Sequence, residues 1–442
     1  MDHPFSSRRA GVLCHLSSIP SGTAERFFDF MTAAGLTIWQ VLPLHPPDRH
    51  HSPYNGSSVF ALNPSIAALG NGSGSEDEYQ SFCDRNRHWL EDYALFEHAC
   101  SGLGPDWRHW PEDVRRRTPK GVSRLRSEPE ALALLQRRQF EAERCWQALK
   151  RQANERDILL FGDMPLYPAY ESADVWTFPH LFALKPDLSE KWVAGVPPDY
   201  FSATGQLWGN PIYDWQVLED EGFRWWIRRL ERLLALFDVV RLDHFRGLSA
   251  YWAVPAGAAD ARSGAWRPGP GHKLLDALSS CANVALVAED LGVIDEEVEK
   301  LRDDFALPGM RVLQFAFSGD RKNPHLPGRY PAHSVAYTGT HDNDTSAGWY
   351  AHLEGPTRVL VDKVIGSKGP AAWRMVQTVF GSAANTAMVP MQDLLGLGSE
   401  HRMNTPGTRH GNWQWQLDWS AVPDRLSGDV RRLIARTGRL AG

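Results

Sequence analysis

The sequence predicts a closed (β/α)8 barrel, an α/β fold, and three observations lead to it. Eight short apolar runs recur along the 442 residues, most of them apolar at nearly every position, as strands buried on both faces of a parallel sheet must be. Helical patterns lie between them, at 223–237 and 295–304 for example. Several runs close on charged residues, at the end where barrels of this kind keep their chemistry.

In order, the runs span 11–16, 38–42, 158–163, 237–243, 284–289, 310–317, 334–338 and 387–390. Eight of them in one chain of this length favour a closed barrel over an open doubly wound sheet. The longest interruption, 60–150 after the second run, reads as helices over 78–95 and 131–154, entered through an exposed loop at 69–78 (LGNGSGSEDE). The next, 166–215 after the third run, is loop-rich and carries many Pro, Gly and aromatic residues.

Composition removes several function classes. Lys and Arg total 47 against 53 Asp and Glu, a net charge of −6 without long like-sign blocks, so a phosphate backbone meets no general attraction and nucleic acid is not the expected partner. The opening MDHPFSSRRAGVLCHL has no apolar stretch of signal-peptide length, and no run of about 18 apolar residues occurs, so the expectation is a cytoplasmic protein with no membrane partner. Five scattered cysteines without a C-x-x-C pair argue against a disulfide framework and a thiolate metal site. His45, His50 and His51 sit in a Pro-rich loop without the spacing of a metal site, and the glycines at 70–74 open no phosphate-binding helix. Neither metal nor cofactor is expected.

Tryptophan is the compositional oddity, with 18 against 11 tyrosines. Its flat apolar face and polar tip suit sugar rings. Trp89, Trp146, Trp225 and Trp226 fall in helical patterns and read as core; Trp176, Trp208 and Trp349 fall in loops and read as ligand candidates.

The polar residues that close the runs form a series: Asp163 after the third, Arg241 and Asp243 at the end of the fourth, Glu289 after the fifth, and His341 with Asp342 just beyond the seventh. Carboxylates converging on one rim repel and raise one another's pKa, which is a poor structural choice and a useful chemical one. Arg241 and Asp243 are two apart and share one side of their strand, with Leu242 facing the helical layer. An arginine in that place holds Asp243 ionised, the state a glycosyl nucleophile needs, while Glu289, behind Val287 and Ala288, suits the protonated partner that serves the leaving oxygen. The alternative is a buried ion pair that merely closes the barrel.

The motifs WQVLPL (39–44), SPYNGSSVFALNP (52–64), GDMPLYPAYESADVW (162–176), GVPPDYFSATGQLWGNPIYDW (195–215), RLDHFRG (241–247), AEDLG (288–292), LPGMRVLQFAF (307–317), GTHDNDT (339–345) and RMNTPGT (402–408) resemble the amylomaltases. These are 4-α-glucanotransferases, or disproportionating enzymes, distant relatives of the α-amylases. The motifs run in family order along essentially the whole chain. The resemblance implies one catalytic barrel over 1–442 with the two inserted subdomains and no separate C-terminal β-domain. It implies Asp243 as nucleophile, Glu289 as general acid/base and Asp342 as the third carboxylate, with Tyr54, Asp163, Trp208, Arg241 and His341 binding substrate. The expected partners are maltooligosaccharides and other α-1,4-glucans, with no cofactor. Where the family usually reads SPYQ this chain has SPYN, and a GIGDLG-like stretch after residue 22 is missing. An α-glucan hydrolase with the same carboxylates, or a non-catalytic glucan-binding protein, remain the alternatives; donor length and oligomeric state are not legible in the residues.

Overall fold

The computed structural model describes residues 3–70, 72–198, 202–281 and 285–440. Twelve strands are found among them: β1 (Arg9–Leu13), β2 (Ile38–Gln40), β3 (Leu159–Met164), β4 (Trp192–Val196), β5 (Gln206–Pro211), β6 (Val239–Leu242), β7 (Ala250–Pro255), β8 (Ala265–Pro268), β9 (Leu286–Ala288), β10 (Gly309–Val312), β11 (Ser334–Tyr337) and β12 (Thr386–Pro390). Eight close into a barrel in the order β1-β12-β11-β10-β9-β6-β3-β2, every pair parallel. Each expected run supplies one of these strands. The sixth is shorter than the apolar pattern suggests, because the chain turns into a 3-10 helix at Leu313–Ala316.

Period-two alternation explains how one barrel holds both a core and a site. Ile38, Phe161, Val239, Val287, Met310, Val335, Tyr337 and Met388 fill the interior, and Phe5 plugs its lower end. Two residues on from Phe161, Val239 and Val287, on the same faces, stand Asp163, Arg241 and Glu289. The interior is thus apolar at the N-terminal ends of the strands and polar at the C-terminal ends. Leu242 points the other way, into the cluster shared with the helices. At Gly162 a Cβ would stand 2.2 Å from the ring of Phe237, so glycine there lets the chain entering β6 pack directly on β3.

The first interruption is helical. Ser75 and Glu78 form a reciprocal capping box at the start of Glu76–Asn86, and Leu90–Leu103 and the 26-residue Pro129–Asn154 follow. The stretch read as one helix over 78–95 is two, broken at residues 87–89. These helices brace the 52–64 loop: Gln139 pairs both ways with the backbone of Leu62 at 2.8 Å, and Ser57 Oγ donates to Glu97 at 2.7 Å. Trp89, Trp146, Trp225 and Trp226 are all buried, as the helical patterns suggest. Trp176 departs from expectation. It lies in the short helix Ala173–Thr177, is 1% exposed, and its indole N–H donates to Val114 O at 3.1 Å, so it welds the two interruptions together and is not open to a ligand. Trp349 is likewise helical, within Ser346–Ala351, and packs on Phe317.

The second interruption is more ordered than its composition suggests. It contributes β4 and β5 to a four-stranded antiparallel sheet, β5-β4-β7-β8, whose other two strands come from the connection after β6. β4 and β7, paired across about 60 residues, leave no local signature, and β5 (QLWGNP) carries the Gly and Pro of a loop.

Among the described residues no helix is long and apolar enough to cross a membrane. At the lower rim, Arg439 is fully buried and donates to five carbonyl oxygens, those of Phe380, Arg9, Asn385, Ser382 and Ala384, at 2.7 to 3.1 Å. It ties the C-terminal helix to the β1–β12 seam where the barrel closes. Arg439→Met removes this donor from all five carbonyls, of which Asn385 keeps the Arg9 N–H and Ser382 keeps Arg8, and stability in a urea titration is expected to fall by about 3 kcal/mol or more. A shift below ~0.5 kcal/mol, the scale of an ordinary surface substitution, would show that the seam closes without it.

Candidate active site

The polar residues expected at the strand ends meet in one hydrogen-bonded group. Arg241 grips Asp163 with two nitrogens, Nε to Oδ1 at 3.0 Å and Nη2 to Oδ2 at 2.7 Å. The same Nη2 lies 2.8 Å from Oδ1 of Asp243. The arginine therefore serves two carboxylates, the fully buried Asp163 first and Asp243 second. Tyr54, from the braced loop, donates its hydroxyl to Asp163 at 2.5 Å and accepts from Arg241 at 3.1 Å. Burial, then the charge of Asp163, pushes the Tyr54 pKa well above its usual value, so it stays a phenol.

His341 stacks on Tyr54, with ring centroids 5.2 Å apart and planes at 15°, and its Nε2 is 3.4 Å from Asp342. It is 8% exposed, and burial lowers its pKa, with the carboxylate of Asp342 opposing. Asp342 is half exposed and is held from the far end of the chain. Asn404 donates to its Oδ1 at 2.6 Å, and Arg402 donates to its backbone oxygen at 2.5 Å. Trp413 packs against both Tyr54 and His341. The sequence pattern does not mark Asn404, Arg402 or Trp413: they lie about 60 to 70 residues from Asp342 without periodicity, and only the RMNTPGT motif, which contains Arg402 and Asn404, points to the region.

Glu289 is placed by backbone. The N–H of His244 donates to its Oε2 at 2.7 Å and that of Leu291 to Oε1 at 3.2 Å. His244 has φ of 50°, a left-handed conformation costly for a residue with a Cβ. That strained turn directs its N–H at the carboxyl group. Trp208 sets its ring edge-on to His244, 4.7 Å between centroids, and is 38% exposed.

Electrostatics separate the two central carboxyls. Glu289 is driven well above the ordinary carboxylate range by burial and then by the charge of Asp243. Asp243 is also raised by burial, and there Arg241 works in the opposite direction as the largest opposing influence. Asp243, raised to about 7, is the more readily ionised of the pair, and Glu289 holds its proton the more tightly. A protonated carboxyl beside an ionised one, both at the mouth of a barrel lined by tyrosine, histidine and tryptophan, suits displacement at an acetal carbon: one group attacks while the other protonates the departing oxygen.

His45, His50 and His51 do not gather into a ligand set: His45 is buried, with its pKa lowered to about 3 by burial, while His50 rests edge-on against His410. Among the described residues no group of three or more His, Cys, Asp or Glu side chains is placed to hold a metal ion.

A family model described as 4-alpha-glucanotransferase matches residues 19–73 and 67–421. The 4-alpha-glucanotransferase of Synechocystis sp. is 40% identical over 504 aligned residues, covering 98% of this chain and 99% of that protein. The Thermus thermophilus 4-alpha-glucanotransferase is also 40% identical, with coverage of 98% and 99%. An amylomaltase from Streptococcus agalactiae, solved in complex with acarbose, superposes with a TM-score of 0.93 at 28% identity, covering 98% of this chain and all of that one.

Proposed function

This chain belongs to the 4-alpha-glucanotransferase family and carries that activity, and we propose that it works by retaining double displacement with Asp243 as nucleophile and Glu289 as general acid and base. The observation that carries the proposal is the unequal setting of the two carboxyls, Asp243 beside Arg241 and Glu289 desolvated on the His244 N–H. Asp243 attacks the anomeric carbon of an α-1,4-glucan while Glu289 protonates the oxygen of the leaving segment. An acceptor glucan or glucose then enters, Glu289 removes the proton of its 4-hydroxyl, and that oxygen displaces Asp243. The second inversion restores the α configuration. No step calls on a cofactor.

The other site residues follow from position. Asp342, steadied by Asn404, faces the reacting sugar and stabilises positive charge at its ring as the bond breaks. Asp163, Arg241 and Tyr54 lock the floor on which Asp243 turns, and His341, neutral and stacked on Tyr54, offers a hydrogen bond to the same sugar. A covalent intermediate open to water at about 55 M is reserved for sugar by positioning, because an oriented hydroxyl reaches an effective molarity of about 10⁵ M or more. The β4–β5 hairpin supplies the cover: Gly205 and Gly209 take φ of 67° and 82°, and Trp208 lies over His244. Tyr200 and Phe201, the other aromatic residues of this segment, lie outside the described residues.

Incubation with pure maltotriose and chromatography of the products tests the reading. Transfer yields glucose and a ladder of longer oligomers with total reducing ends constant. Rising reducing ends would replace transfer by hydrolysis, and an unchanged trimer would leave only binding.

A further inference from the structure

The turn that follows Asp243 meets two indoles. Trp208 on β5 touches His244, and Trp266 on β8 lies with its ring 4.0 Å from the Arg246 guanidinium carbon. Trp266 has no part in the chemistry above, yet it is held with care. Arg246 is 7% exposed and bridged to Asp295 at 2.8 Å, so the cation beneath the indole is fixed. Trp252 packs edge-on at 5.3 Å, itself anchored by its N–H to Ala261 O at 2.8 Å. Clamped on one face and one edge, Trp266 is still 38% exposed. A rigid, cation-backed indole with open surface offers a sugar ring a stacking platform whose ordering has already been met in folding.

Its nearer strand neighbours do not share that exposure. Leu207, Gly195, Trp252 and Trp266 are in register across the four strands of the sheet, but Trp252 is only partly exposed and at Gly195 a Cβ would stand 2.4 Å from Gln206 O, so the sheet is closed between its two edges. The open apolar face of Trp266 beside a fixed cation calls for an occupant.

Position names that occupant. Glu289, which serves the oxygen on the leaving-group side, is held by the N–H of His244. Asp163, Tyr54, His341 and Asp342 gather instead around Asp243, where the donor sugar reacts. Residues 244–246 therefore flank the side from which the first product leaves and to which the acceptor comes, and Trp266 packs on the last of them, Arg246. We infer that Trp266 is a remote platform for the acceptor, an α-1,4-glucan chain long enough to extend past Arg246. The inference rests on the transferase reading and on Glu289 as the acid. It makes Trp266 a determinant of acceptor length.

The test uses α-glucosyl fluoride as donor with either glucose or maltohexaose as acceptor, in the wild type, Trp266→Ala and Trp266→Phe. For Trp266→Ala the ratio of kcat/KM for maltohexaose over glucose is expected to fall about 3- to 10-fold, as lost aromatic stacking predicts, with the change in KM and most of it restored in Trp266→Phe. An unchanged ratio overturns the inference. So does an equal loss on both acceptors, which would make Trp266 a packing partner of Arg246 and no more. Failure of the transferase reading looks different: the wild type itself would release glucose from the fluoride and lengthen neither acceptor.

Discussion

Asp243→Asn is expected to abolish transfer and hydrolysis together, lowering turnover of maltotriose on the order of 10⁴-fold or more, while the barrel remains folded. The amide has nearly the shape of the carboxylate and still accepts from Arg241, so the hydrogen-bonded floor of Asp163, Arg241 and Tyr54 is kept. What it lacks is the charge and the free oxygen needed to form the glycosyl ester. Loss of this charge also relieves the second-largest influence that raises Glu289, so the acid loses proton affinity at the same time as the nucleophile disappears. Circular dichroism and thermal unfolding establish the fold, and chromatography reads the activity. More than a few per cent of wild-type turnover, in a preparation free of wild-type enzyme, would remove Asp243 from the role.

Glu289→Gln is expected to lower turnover of maltotriose about 10²- to 10⁴-fold, the usual contribution of a positioned acid and base. The distinguishing result comes with α-glucosyl fluoride, whose leaving group needs no proton. Asp243 should still be glycosylated, and the intermediate should persist for lack of a base, visible as one added glucosyl mass on the intact protein. Equal loss with natural and activated donors would exclude an acid role. The pH profile carries the same assignment. Glu289 must be protonated to act, and its pKa is raised well above the carboxylate range, so the wild-type rate should persist above that range and fall only when this group ionises. The glutamine variant, with the activated donor, should lack that basic limb.

Stability should move in the direction opposite to activity. At a pH below the unfolded value of about 4.3 both folded and unfolded chains hold the Glu289 proton. As pH rises the unfolded chain releases it while the folded chain keeps it, and folding free energy is lost until the folded pKa is passed. Glutamine has no proton to lose, so the inactive variant is expected to be the more stable at neutral pH, by on the order of 1 kcal/mol or more. The site therefore holds its acid protonated at the expense of the fold.

How much of this was legible depends on the range of the signal. Barrel strands are short-range objects: a few consecutive apolar residues buried on two faces identify themselves, and the i, i+2 rule carries Phe161 to Asp163, Val239 to Arg241 and Val287 to Glu289 without any tertiary information. The same alternation turns the charged ends of those runs to the interior face. Tryptophan misled where its neighbours did not. Trp176 sits between Pro168 and Pro179, close to Ser172, like a loop residue, yet the helical insertion folds over it and buries it against Val114.

The sequence alone determined the barrel, its eight strands and the polar residues at their ends, because alternation and burial on two faces leave their mark within a few residues. Only the tertiary structure decided how those residues divide their work. It set Arg241 chiefly on Asp163, brought Asn404 from the end of the chain to Asp342, turned His244 left-handed to hold Glu289, and paired β4 with β7 into a sheet that no local pattern announced. Each of these depends on groups far apart in the chain meeting where water is excluded, and the energy of such a meeting is written in distance and burial, which a linear pattern does not contain.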